Sequence, residues 1–317
     1  MKSAELLHRL AGGIFVLWLV SVLAFLMVQL VPGDAADMIA GEGSTEEQVA
    51  AIRAQLGLDQ PVIQQYLAWT GRVLSGDLGS SVFSQTPVTE LMLEAAPVTL
   101  SLAGVAIVIA IVLGVTAGAV AARKPGGWVD GIISSIATVS LAMPNFWVAM
   151  ILVSLLAIAN PWLPATGFAG LEEGVDVWLA HIIIPAAALG LHSAGELARH
   201  TRGAAADVFA RPYVRSARAR GATGWWLVRH HVVRNASIPV LTILGLQVGR
   251  LLAGVIVVEA VAGMNGIGTL AVTAISRRDF PVIQGYVLFC AVVIVCVSLV
   301  VDLAYTWINP KVRSAGS

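Results

Sequence analysis

The sequence predicts an all-α, polytopic membrane protein with six transmembrane helices, and two observations carry that expectation. Hydrophobic residues make up 57% of the chain and charged residues 12%, whereas soluble domains carry about 25% charged residues. Six largely apolar stretches, each near or above the roughly 20 residues that span a hydrocarbon core, run from Leu10 to Val31, Val98 to Ala122, Gly131 to Ala159, Val177 to Ala198, Ile238 to Val258 and Val282 to Ile308. Lys2, His8 and Arg9 precede the first stretch as they would a signal peptide. The run is too long for one, however, and no small-residue cleavage site closes it.

Basic residues near span ends stay on the cytoplasmic side. With the N-terminus inside, Lys2, Arg9, Arg123, Lys124, Arg199, Arg202, Arg211, Arg215, Arg218, Arg220, Arg229, Arg234, Lys311 and Arg313 are cytoplasmic, and only Arg53, Arg72, Arg277 and Arg278 are outside. Both termini are therefore expected in the cytoplasm. The expected divisions are residues 1–97 (first span plus an outer helical cap), 98–308 (five further spans, with an inner loop over 199–235) and 309–317 (a cytoplasmic tail). Net charge is zero, so nothing in the bulk electrostatics invites nucleic acid.

The outer segment from Pro32 to Pro97 has helix grammar of its own. Ser44 or Thr45 can cap a helix through Glu47 or Gln48 and Gly57 can end it; Pro61 can open a second helix that Gly76 closes, and Thr86-Pro87 can open a third. The inner segment from Arg199 to Asn235 carries eight arginines and one acid, Asp207. Such a segment can be a topology anchor that holds anionic headgroups. Its apolar residues Leu227, Val228, Val232 and Val233, interleaved with Arg229 and Arg234, and its central Gly221 suggest instead short helices along the membrane face that dock a cytoplasmic partner.

At that segment the chain resembles the permease subunits of binding-protein-dependent ABC importers, in the dipeptide/oligopeptide variant. The matching residues are Ala217-Arg218-Ala219-Arg220-Gly221 and the run from Arg229 through Arg234-Asn235 to Pro239, with Arg220 and His231 as minor departures. Of the broader Glu-Ala-Ala signature only Ala217 and Gly221 carry over, because Arg215-Ser216 stands where the signature begins. The likeness continues through Leu30-Val31-Pro32-Gly33-Asp34, Leu56-Gly57-Leu58-Asp59-Gln60-Pro61, Gly76-Asp77-Leu78-Gly79, Glu259, Gly266-Ile267-Gly268 and Arg278-Asp279-Phe280-Pro281. Asn265 replaces the usual proline, which is expected to loosen that outer turn.

The resemblance implies a type I ABC importer permease forming half of a translocation path for peptides. It implies as partners a second permease, two ATPase subunits that hold ATP and Mg, and an extracytoplasmic substrate-binding protein, all at a bacterial inner membrane. It also implies ATPase-coupling roles for Tyr213, Arg215, Ala217, Arg218, Gly221, Arg229, Asn235 and Pro239. The chain itself is expected to bind no cofactor or metal and not to be an enzyme: it has no phosphate-binding G-x-x-x-x-G-K-[ST], no H-E-x-x-H, no G-x-S-x-G and no C-x-x-C. Importers of the same family for nickel or glutathione are alternatives, as is a channel or ion-gradient transporter, which would need intramembrane charge relays and broken inverted repeats.

Polar residues inside spans are costly and therefore informative. Arg250 falls mid-span with Gln247 one turn earlier; they either line the path or, for Arg250, satisfy a partner carboxylate or an open carbonyl. Asn145 follows Pro144, where a kink is expected and where a buried polar group either lines the pore or does not. Gly245, Gly249 and Ala253 form a small-residue stripe suited to close helix packing. His181, His192 and His200 lack metal-ligand spacing. Glu196 is expected to be solvated or paired with Arg199, and Cys290 and Cys296 are read as buried thiols.

Overall fold

A computed structural model of the chain describes residues 3–29, 45–55, 57, 59–221 and 234–308. Its helices are α1 (Ser3–Gln29), α2 (Glu46–Gln55), α3 (Val62–Leu74), α4 (Val88–Ala121), α5 (Trp128–Ala142), α6 (Asn145–Val153), α7 (Val175–Ala210), α8 (Pro212–Ala219), α9 (Arg234–Ala262), α10 (Ile267–Arg277) and α11 (Phe280–Ile308). A π-helical turn, Ser154–Ala159, extends α6, and a short 3-10 turn, Leu171–Glu173, precedes α7. Among the described residues, five helices are long and apolar enough to cross a membrane, and six if the bent pair α5–α6 counts as one span.

That bent pair is the third expected span, and the break lies at Pro144. Met143 (ψ 128°) and Pro144 (ψ 137°) are both extended, because the proline ring excludes the residue before it from the helical region. The two halves meet at 99°, a full break where the sequence predicted a kink.

The chain divides into two compact units. The first comprises residues 1–6, 96–269 and 296–317. Its core gathers Leu102 and Ala106 of α4, Ile182, Ala186 and Leu189 of α7, and Leu251, Val255 and Val258 of α9. Helix α7 is central, packing on α5, α6 and α9. Small residues let it approach its neighbours: a Cβ on Gly118 of α4 would fall 2.5 Å from the Ala198 carbonyl oxygen, and one on Gly195 would fall 2.8 Å from that of Ala137 in α5. The close helix packing is thus on α7. The predicted stripe on α9 is bare over most of its length among the described residues: Gly245 faces Val301 at 3.4 Å, nothing lies within 4 Å of a Cβ at Gly249, and Ala253 is exposed.

The second unit comprises residues 7–95 and 270–295. The expected outer helices are here. Thr45 and Gln48 close a capping box, with Thr45 N–H donating to Gln48 Oε1 at 3.0 Å and Gln48 N–H to Thr45 Oγ1 at 3.3 Å. Gly57 (φ 66°) follows α2 and Gly76 (φ 87°) follows α3 in the left-handed region. Helix α3 packs on α1 through Phe25, Tyr66 and Trp69, whose ring centroids lie 5.5 to 6.2 Å apart, and Ser21 bonds the Tyr66 hydroxyl at 2.8 Å. Buried Asp279 accepts hydrogen bonds from the Ser81 hydroxyl and the Val82 N–H. The third outer helix is not separate: α4 opens after Thr86-Pro87 and continues unbroken through Pro97 into the second span.

The two thiols depart from expectation. Cys290 is half-buried and Cys296 exposed, because much of α11 presents apolar side chains such as Val292, Ile294, Val300 and Leu303 outward, as a lipid-facing helix does.

Candidate coupling face and translocation path

The apolar stretch of α7 does not end the helix. Residues 199–210, expected in the inner loop, continue α7 to Ala210. Arg211, which precedes Pro212, is extended (ψ 142°) and ends it; Pro212 then opens α8. This short helix has two faces. Val214 (0% exposed) and Ala217 (4%) pack with Ala205 and Val208 of α7 and Ala122 at the end of α4. Tyr213, Arg215, Ser216 and Arg220 are exposed. Gly221 closes the helix at φ 88°, and among the described residues nothing lies within 4 Å of where a Cβ would stand, so the requirement for glycine is conformational, not steric.

Among the expected coupling residues, then, Tyr213, Arg215 and Gly221 are outward and Ala217 is the anchor beneath them. Arg218 is within α8, Asn235 and Pro239 are in the first turns of α9, and Arg229 lies outside the described residues, as do Leu227, Val228, Val232 and Val233.

Just above that seat is a contact that sequence reasoning missed. Asp130, in the first turn of α5, is buried and takes a two-pronged bond from Arg202 of α7, with Nη2 at 2.6 Å and Nε on the other carboxylate oxygen. Gly126 N–H also donates to it at 2.8 Å and the Ser134 hydroxyl at 3.3 Å. The available signal was an acid in the first turn of a helix after a Pro-Gly-Gly turn, where the helix dipole favours it; its partner, 72 residues away, leaves no local trace.

The three tentative path residues are in the first unit, on helices that pack on one another. Asn145 begins α6, directly after the break, and is half-buried; a Cβ on Gly254 of α9 would fall 2.8 Å from its Nδ2. Gln247 is buried (3% exposed), donates from Nε2 to the Ser193 carbonyl of α7 at 3.2 Å, and leaves Oε1 with no partner among the described residues. Arg250 donates from Nη1 to both Glu196 carboxylate oxygens, at 2.7 and 2.8 Å. The pairing corrects two expectations: Glu196 is bound by Arg250, not Arg199, and Arg250 finds its carboxylate within its own chain. The reason is lateral. Ser193 and Glu196 share one face of α7, Gln247 and Arg250 one face of α9, and the two faces meet. An unpaired arginine at that depth costs about 3 kcal/mol on insertion scales, which the ion pair offsets in part.

Glu259, at the other end of α9, is fully buried. It accepts from the Thr99 hydroxyl at 2.5 Å and from Thr269 N–H at 3.0 Å, and Thr99 Oγ1 in turn accepts from Ile267 N–H at 2.9 Å. The carboxylate thus sits at the N-terminus of α10, where backbone N–H groups are unpaired. Gly266 and Gly268 leave room for it: a side chain on either would meet the carboxylate. The turn expected to loosen at Asn265 is therefore clasped from both sides, with Asn265 itself exposed. His181 and His192 bond the Val177 and Ser140 carbonyls through Nδ1, at 2.9 and 3.2 Å.

A helical, multi-pass membrane protein with a broken span, intramembrane polar pairs and an inward-seated surface helix has the build of a transport permease. The chain belongs to the family of binding-protein-dependent transport system inner membrane components: that family's model matches residues 110–314, and the model of its N-terminal part matches residues 4–103. The chain is 37% identical to a protein of Sinorhizobium fredii named as a probable peptide ABC transporter permease, over 97% of this chain and 98% of that one. It is 38% identical to a putative peptide transport system permease protein of Brucella melitensis, over 99% of each, and 39% identical to the glutathione transport system permease protein of Escherichia coli K12, over 97% of this chain and 98% of that one. Its fold is similar to a chain of the inward-facing MetNI methionine ABC transporter, with TM-score 0.57 and 15% identity over 69% of this chain and 96% of that one.

Proposed function

We propose that this chain forms half of the translocation path of an ATP-driven peptide importer and takes its driving motion through α8. The observation that carries the coupling role is the two-faced seating of α8. Val214 and Ala217 fix it to α7 while Tyr213, Arg215 and the Gly221 turn are left outward, so a push on α8 is delivered to the central helix of the first unit. Arg202 of the same helix holds Asp130 at the start of α5, which extends that delivery to the broken span and to Asn145 at its break.

The peptide assignment is supported by the two full-length relatives named for peptide transport. On this reading a second permease completes the path, with Asn145, Gln247 and Arg250 lining this chain's half. Two ATPase subunits, which themselves hold ATP and Mg, dock against α8 and the positions around it, including Arg218, Arg229, Asn235 and Pro239. The bare stripe of Gly249 and Ala253 receives a neighbouring helix, and the outer helices within residues 32–97 receive a loaded binding protein. The arginine-rich inner face and both termini are cytoplasmic.

The test is reconstitution of the chain with its co-purifying subunits in liposomes and measurement of ATP-dependent dipeptide and glutathione uptake. Dipeptide uptake that requires a second permease, ATPases and binding protein is the expected result. Uptake driven by an ion gradient without nucleotide would overturn it.

A further inference from the structure

Arg250 stands at the midpoint of the 24-residue apolar stretch Pro239–Ala262 of α9. Its side chain is 68% exposed, while the Glu196 side chain beside it is only 20% exposed. Only Nη1 is engaged, by the two Glu196 oxygens. Nε and Nη2, the edge of a guanidinium that forks onto a carboxylate, make no hydrogen bond among the described residues. One turn earlier Gln247 is buried, anchored to the Ser193 carbonyl through Nε2, with Oε1 lacking a donor among the described residues. A guanidinium with an open fork at mid-depth is not stable against hydrocarbon. It requires water or a polar occupant on its exposed side.

The chemistry of the pair is that of a zwitterion reader. A carboxylate can take the open Nε/Nη2 edge without displacing Glu196, and Glu196, whose oxygens have remaining lone pairs, can accept from an ammonium or amide N–H on the same molecule. We infer that Glu196 and Arg250 form a cargo-reading station in the passage that favours peptides with a free terminal carboxylate. This rests on the peptide-import reading and adds to it a determinant of specificity inside the membrane. The anchoring of Gln247 to Ser193 holds α9 in register with α7, so that the guanidinium and Glu196 keep their spacing.

Uptake by the reconstituted importer is measured per assembled complex for alanyl-alanine and for alanyl-alanine amide, in the unaltered protein, R250Q, R250K and the exchange E196R/R250E. The expected result is at least a tenfold fall in the acid-to-amide uptake ratio in R250Q, a smaller fall in R250K, which keeps the charge but loses the fork, and no recovery of the ratio in the exchange, which restores the ion pair on the wrong helices. An unchanged ratio in R250Q overturns the inference. So does recovery of the full ratio in the exchange, or an assembly defect in R250Q that the exchange repairs, either of which makes the pair a structural tether. Failure of the unaltered protein to import either dipeptide would instead overturn the peptide reading itself.

Discussion

Val214 is where the coupling account is most exposed to test. It is fully buried beneath α8, and Val214→Ala removes two methyl groups from the seat. At about 0.8 kcal/mol per buried carbon, with a further contribution from the cavity, the loss is about 2 kcal/mol. That loss falls on the docking of an eight-residue helix held to α7 by one small apolar cluster, so it shifts the docked-to-undocked ratio by roughly 30-fold. Membrane insertion depends on the apolar spans and is expected to persist. The assay is dipeptide imported per ATP hydrolysed in proteoliposomes, with the purified complex checked for subunit content. The expected outcome is continued ATP hydrolysis with a transport ratio reduced several-fold. A ratio equal to that of the unaltered protein, with the complex intact, would refute the claim that the Val214 seat transmits force.

Further outcomes follow from the same geometry. Gly221→Val places a β-branched residue at φ 88°, at a cost of about 1–2 kcal/mol, and is expected to uncouple hydrolysis from uptake, while Gly221→Asn, tolerant of that region, retains most coupling; transport ratios of the two variants read this directly. Glu259→Leu leaves the Thr269 N–H and the Thr99 hydroxyl without their buried acceptor, for about 2–3 kcal/mol, and is expected to lower the thermal unfolding midpoint in detergent. Gly118→Leu drives a side chain into the Ala198 carbonyl of α7 and is expected to prevent accumulation of folded protein, whereas Gly104→Leu, with open space at its Cβ, is expected to accumulate normally. Thr45→Ala removes one arm of the capping box, about 1 kcal/mol, and is expected to speed amide exchange at the start of α2 with little effect on uptake.

What was legible in the sequence was whatever a single segment determines. Apolar length places the spans, Ser44 or Thr45 with Glu47 or Gln48 places the cap of α2, Pro144 places the bend in the third span though not its full break, and Gly57, Gly76 and Gly221 mark helix ends, because each acts within a few residues of itself. Pairings across the fold were not legible. Glu196 has Arg199 three residues away yet bonds Arg250, 54 residues on; Asp130 finds Arg202; Glu259 is received by the N-terminus of α10. Facing is likewise a tertiary property: Ala217 sits in the motif that suggests docking yet faces inward, and the small-residue stripe on α9 is less engaged than Gly114 and Gly118 of α4, whose four-residue spacing is the same local signal. The continuity of α4 through Pro97 and of α7 to Ala210 shows the same limit, since apolar length measures the bilayer and not the helix.

Whether α8 meets an ATPase is read by site-specific cross-linking from its outward face. Ser216→Cys is introduced where Cys290 and Cys296 are replaced by serine, and a maleimide carrying a benzophenone, which bonds the thiol and on irradiation inserts into a neighbouring C–H bond, is added to native membranes with and without ATP. The expected result is a covalent product between this chain and an ATPase subunit, its yield changing with nucleotide. A Ser216→Cys chain that forms no such product, while the same complex still imports dipeptide, would contradict it.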